Sequence, residues 1–277
     1  MARAPGGRGR QPPVLKKFGQ HFLSDNKILT AIVDALAPTP DDTVVEVGSG
    51  RGSLTDILVE RSGRVIAVEI DRMLAANLRQ RYKQQPNIEI IQEDFLEIDL
   101  RAVVGEPYML IGNVPYYITT PILFKSLEPP MPRRSVFLVQ REVAERMAAK
   151  AGDEAYGALT VNIAVIAGVE QVLTVPASAF SPPPKVESAV VRVTPLPSPL
   201  VRVEVREGFR TFVQAAFSNR RKQMQRVLRT VRGLAPDQAA AILDTVRIDP
   251  AARPEVVAPE QFANLFEAIN RKLPAAG

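Results

Sequence analysis

Thr43-Val44-Val45-Glu46-Val47-Gly48-Ser49-Gly50-Arg51-Gly52, residues 43–52, sets a short apolar run directly against three closely spaced glycines. The β-branched run predicts a buried strand, and the glycines predict a turn in which the backbone can approach a ligand closely. Ser53 to Arg61 then reads as a helix and Val65 to Val68 as a second strand. A helix over about Met73 to Tyr82 and strands at Ile88–Ile91, Tyr108–Ile111 and Ser135–Val139 continue the series. Strands alternating with helices predict an α/β fold, a doubly wound parallel sheet with helices on both faces.

Outward from this frame, Ile28, Leu29, Ile32, Val33 and Leu36 keep helical spacing behind a capping Ser24 or Asp25. Val169–Leu173 and Val186–Val193 read as later strands, separated by Phe180-Ser181-Pro182-Pro183-Pro184. Beyond Pro195, Pro197 and Pro199 the pattern turns helical: Phe209, Phe212, Val213, Ala216 and Phe217 share one helix face, with further helices near 222–232, 236–245 and 259–272. The division expected is a basic, disordered arm over 1–19, a sheet domain over 20–196 and a small helical domain over 197–277.

Composition narrows the chemistry. The 277 residues include no cysteine and one histidine, His21, which disfavours thiolate nucleophiles, metal clusters and Ser-His-Asp catalysis. An enzyme with this inventory works by positioning and polarising its reactants, and no metal site is expected. No secretory signal or membrane-length apolar run is apparent, so a cytoplasmic protein is expected.

Glu69 follows the second strand, 21 positions after Gly48, where doubly wound folds place a carboxylate on ribose hydroxyls. Asp94, beyond the third strand, could accept from an adenine amine. A nicotinamide dinucleotide competes for this layout, but its fingerprint needs a third glycine one position later than Gly52 stands. The spacing favours a cofactor without a pyrophosphate, and S-adenosylmethionine fits. After the fourth strand comes Gly112-Asn113-Val114-Pro115-Tyr116-Tyr117. Asn113 offers an acceptor oxygen, Pro115 restricts Val114 so that its carbonyl can be held in one direction, and Tyr116 offers a flat face for a nucleobase. Two acceptors beside an aromatic ring suit the exocyclic amine of a planar base.

These segments, together with Lys17–Leu23, Phe180–Val186 and Ala216–Lys222, resemble the ribosomal RNA adenine dimethyltransferases over about residues 16–270. The resemblance implies a Rossmann-like S-adenosylmethionine-dependent methyltransferase domain with a helical C-terminal domain. It also implies that His21, Leu23, Gly48, Gly50, Glu69, Asp94 and Asn113 contact the cofactor. Asn113, Val114, Pro115, Tyr116 and Phe180 would form the catalytic pocket, Tyr116 and Phe180 stacking on opposite faces of the target adenine. Asn219-Arg220-Arg221-Lys222 favours the branch that dimethylates two adjacent adenosines near the 3′ end of small-subunit rRNA, here in a pre-30S particle, by a monomer. Large-subunit methylation of the antibiotic-resistance type, a non-catalytic assembly factor and a DNA adenine methyltransferase are the alternatives. The family often has Asn at His21, Pro at Ser49, Leu at Val114 and Asn at Tyr117, so the detail of the base pocket is open at these positions.

The RNA surface is expected in the tail. Arg206, Arg210, Arg220, Arg221, Lys222, Arg226, Arg229 and Arg232 fall within 27 residues opposed only by Glu207. On a helix over 222–232, Lys222, Arg226 and Arg229 would share a face, with Arg141, Arg146 and Lys150 extending the patch.

Overall fold

The computed structural model describes residues 21–105 and 107–272; the expected arm over residues 1–19 lies outside them. One sheet runs in the order β4 (Ile88–Ile91), β3 (Arg64–Val68), β2 (Thr43–Val47), β5 (Tyr108–Asn113), β6 (Ser135–Gln140), β9 (Ser188–Pro195) and β7 (Ala167–Val175). A separate pair joins β1 (Phe22–Leu23) to β8 (Phe180–Ser181). Helices α1 (Asn26–Leu36), α2 (Ser53–Arg61), α3 (Arg72–Arg81), α4 (Leu100–Val103), α5 (Thr119–Ser126), α6 (Arg141–Ala148) and α7 (Ala158–Ala164) intervene. After Pro195 come α8 (Arg206–Ser218), α9 (Met224–Arg232), α10 (Pro236–Thr245) and α11 (Pro259–Lys272).

The strands from β4 to β6 are parallel, as expected. The two later strands add a mixed edge, where β9 runs antiparallel to both β6 and β7. The reason is local: residues 176–187 return the chain by a proline-rich loop, and only a crossover would have kept it parallel.

Alternation along β2 divides the interior. Val44 faces one core with Ile32, Val33 and Leu36 of α1 and Leu58 of α2, while Val45 and Val47 face the other with Ile122, Leu123 and Ala144. That second core continues through α7 into Phe209, Phe212 and Phe262, so the helices after Pro195 share the sheet's larger core. Arg206 closes the junction from inside: 5% exposed, its guanidinium donates to Leu127 O at 2.6 Å and to Val201 O at 3.4 Å.

Strand order decides where a ligand can sit. β2, β3 and β4 step outward one way, then β5 returns to the other side of β2, opening a crevice at the carboxyl ends. Register places Val47 opposite both Val68 and Gly112, so Gly48, Glu69 and Asn113 emerge side by side.

Candidate active site

Residues from all these strand ends line one cleft. Its floor is the glycine turn, in which Gly48, Gly50 and Gly52 have φ of +70°, +57° and +82°. A Cβ on Gly52 would stand 2.9 Å from Tyr82 Oη and 3.0 Å from Leu78 Cδ2, so the turn is backed tightly by α3. Behind it, Tyr82 Oη donates to Asp56 Oδ1 at 2.7 Å, and Arg81 pairs with the same carboxylate.

Glu69 is held by its neighbours. One carboxylate oxygen accepts from Gly50 N at 2.7 Å and the other from Asp71 N at 2.8 Å. Asp71 in turn caps α3 through Met73 N and Leu74 N, which fixes both the helix start and the acid before it. Burial pushes the Glu69 carboxyl above the usual range, although those two N–H groups favour its charged form. Asp94 Oδ1 accepts from Leu96 N at 2.9 Å, and Lys125 of α5 donates to the carbonyls of Leu96 and Ile98 at 2.6 and 2.7 Å. The loop carrying Asp94 is therefore clamped from the element that follows the Asn113–Tyr116 loop.

At the other end of the cleft, Asn113 Nδ2 donates to His21 O at 3.3 Å, which turns Oδ1 away from that carbonyl. His21 Nδ1–H donates to Pro182 O at 2.8 Å, and its ring lies against Tyr116 with centroids 6.0 Å apart and planes 23° apart. Tyr116 is half-buried and its hydroxyl bonds Ser188 Oγ at 2.7 Å. Burial raises the Tyr116 phenol above its ordinary range, so it is neutral at working pH. The neighbouring Tyr117 is 64% exposed at the mouth.

The cleft thus brings together His21, Leu23, Gly48, Gly50, Glu69 and Asp94 with Asn113, Val114, Pro115 and Tyr116. Phe180 does not join them. Phe180 is 4% exposed and packs in the α1-side core beside Leu23, its partner across the β1–β8 pair. Glu46 belongs to the glycine motif but has no role that the sequence alone assigns. It is 2% exposed, lines the cleft and accepts from Thr55 Oγ1 at 2.5 Å, and burial pushes its carboxyl up to about 7. Ile70 and Phe95, each next to an assigned acid, supply apolar walls that were likewise not foreseen.

The donor set discriminates between cofactors. Glu46, Glu69, Glu93 and Asp94 all line the cleft, an acceptor-rich wall that repels a pyrophosphate. It suits ribose hydroxyls, an adenine amine and the positive charges of S-adenosylmethionine.

The five basic residues of the expected RNA surface lie outside this cleft. Arg220 and Arg221 are exposed and Lys222 half-exposed, in the turn between α8 and α9; Arg226 and Arg229 are exposed on α9. Lys222 does not share a helix face with them, since α9 begins at Met224. Among the described residues, none of the five meets a carboxylate within 4 Å. Other members of the cluster are spoken for: Arg206 is buried, and Arg210 and Arg232 lie over the rings of Phe124 and Phe212. Arg141 pairs with Glu145 and Glu187 and does not extend the patch as free charge.

A doubly wound sheet with a glycine turn, a buried acid at the end of the next strand and an Asn-Val-Pro-Tyr loop at its switch point defines an S-adenosylmethionine-dependent methyltransferase. Residues 14–271 match the family described as Ribosomal RNA adenine dimethylase, and the chain belongs to that family, an enzyme family that dimethylates rRNA adenine. It is 40% identical over 267 residues to ribosomal RNA small subunit methyltransferase A of Geobacillus thermodenitrificans, covering 92% of this chain and 90% of that protein. The crystal structure of a dimethyladenosine transferase from Plasmodium falciparum superposes with a TM-score of 0.79 at 26% identity, over 91% of this chain and 98% of that one. That of the 23S rRNA methyltransferase ErmE gives 0.71 at 32% identity, over 90% and 99%.

Proposed function

We propose that the protein dimethylates N6 of two adjacent adenosines near the 3′ end of small-subunit rRNA, acting as a cytoplasmic monomer on a pre-30S particle. The observation that carries the chemistry is the juxtaposition at one crevice of Glu69 and Asp94 with the oriented Asn113 amide and the Tyr116 ring. The small-subunit target is supported by the relative from Geobacillus thermodenitrificans, whose name specifies that subunit.

In this reading Glu69 accepts from the ribose hydroxyls and Asp94 from the adenine amine of the cofactor, with Ile70 and Phe95 against the base. His21, Leu23, Gly48, Gly50 and Asn113 complete its contacts. When bound, S-adenosylmethionine supplies a sulfonium-borne methyl that passes to N6 of the target adenine, the C–S bond breaking with its electron pair left on sulfur and one N6 proton released to water. The protein's part is alignment. Asn113 Oδ1 and the Val114 carbonyl accept from the two N–H groups, so the N6 lone pair points at the incoming carbon. Tyr116 holds one face of the adenine, which must be drawn out of its helix or loop to reach it. Phe180 reaches the opposite face only if its ring leaves the core. Arg220, Arg221, Lys222, Arg226 and Arg229 neutralise rRNA phosphates without reading sequence.

The test is methyl transfer from radiolabelled cofactor to undermethylated small subunits, large subunits, free rRNA and duplex DNA. Label confined to small-subunit RNA, as dimethyladenosine, is the expected result. Label on large-subunit RNA alone would favour the antibiotic-resistance type of activity, and no transfer with intact binding would favour an assembly factor.

A further inference from the structure

Tyr116 is pinned in a way that adenine stacking alone does not require. Its hydroxyl bonds Ser188 Oγ at 2.7 Å while its ring rests against His21. Ser188 is a rigid post: fully buried, it opens β9 and is paired with Gln140 of β6 on one side and Val175 of β7 on the other. Tyr116 opens a single helical turn at the cleft, where its backbone leaves two side-chain torsions to be fixed; a ring held at the tip by the sheet keeps its plane.

We propose that Ser188 is a positioning residue whose bond to Tyr116 serves chiefly the second of the two methyl transfers. The inference rests on the dimethylation reading above. An unmodified adenine amine has two N–H groups, one for Asn113 Oδ1 and one for the Val114 carbonyl. The first transfer replaces one N–H by a methyl, so one of those acceptors loses its donor. The monomethylated base is left with a single in-plane hydrogen bond and can pivot about it. Its aromatic face is unchanged, and the fraction of the alignment carried by the Tyr116 ring rises. A ring fixed by Ser188 holds the base for the second displacement; a ring free to swing does not.

The experiment compares wild type, Ser188→Ala, Tyr116→Phe and the double variant on undermethylated small subunits, resolving mono- from dimethyladenosine over time. Each single variant removes the same hydrogen bond from opposite ends. The second transfer should slow roughly three- to tenfold relative to the first, the net worth of one hydrogen bond, so monomethyladenosine accumulates. The double variant should be no worse than either single one, because the bond can be lost only once. A purely structural effect of Ser188→Ala would persist in the Tyr116→Phe background. In cofactor-free protein labelled with ¹³C-tyrosine, the Tyr116 Cζ resonance should move in Ser188→Ala. An unchanged product ratio in both single variants, an additive double variant, or an unmoved Tyr116 resonance would overturn the proposal. Failure of wild type to methylate small subunits would instead overturn the function on which it rests. If Ser188→Ala does not fold, the product ratio of Tyr116→Phe decides.

Discussion

At the scale of single residues, Glu46 makes the sharpest prediction. Its carboxyl, pushed by burial to about 7, takes up a proton on folding across the range between the ordinary carboxylate value and neutrality. The sign follows: its contribution to stability is fully present below the unfolded value of 4.5 and is lost as pH rises through about 7. Cofactor binding should run the other way, since an ionised Glu46 attracts a cationic ligand. Chemical denaturation and calorimetry between pH 5 and pH 8 are expected to show cofactor-free stability falling and cofactor affinity rising, with both slopes flattened in Glu46→Gln. Asn113→Ala should lower methyl transfer about a hundredfold or more while leaving rRNA affinity near wild type; transfer at the wild-type rate would remove Asn113 from the mechanism. The meeting of Asn113, Glu69 and Asp94 in one cleft is legible because each occupies a fixed place relative to a strand end. Glu46 was hidden by its position inside a strand, where an acid's burial depends on what covers the sheet. Ser188 was hidden for a similar reason, its partner being 72 positions away.

At the scale of elements, the strands that alternate with helices were readable from apolar periodicity. α5, α6 and α7, of seven or eight residues each, were not foreseen, being too short to display a stripe. α9 begins at Met224, two residues later than the spacing predicts, for a different reason. The backbone N–H groups of Met224 and Gln225 are satisfied by Ala252 O and Pro250 O at 2.7 and 3.1 Å, so a distant turn sets where the helix begins. No local pattern near Lys222 carries that information. The turn into α2 makes the prediction at this scale. Gly52→Ala would force a left-handed φ of +82° on alanine and drive its Cβ against Tyr82 and Leu78. A loss of about 1–3 kcal/mol is expected in urea unfolding, together with weaker cofactor binding. Stability within error of wild type would show that α3 can retreat from the turn.

At the scale of the whole molecule, burial divides one arginine-rich stretch into two sets. Arg206 holds the helical part to the sheet from within, so Arg206→Ala should cost about 2–4 kcal/mol and leave the salt dependence of RNA binding per folded molecule unchanged. Arg221→Ala with Arg226→Ala should leave the unfolding midpoint alone, weaken rRNA binding and flatten its dependence on log salt by about two. Equal effects of the two sets on either measurement would contradict the division. Among the described residues, no helix is long and apolar enough to cross a membrane. The pairing of β1 with β8 carries a last consequence, which concerns the order of synthesis. His21 and Leu23 are locked over the cleft by Pro182, Ser181 and Phe180, while every glycine of the cofactor turn lies between these two segments in the chain. A nascent chain therefore possesses its binding motif long before it can close it. Translation must run past residue 182 before His21 and Leu23 can be locked in place over that turn.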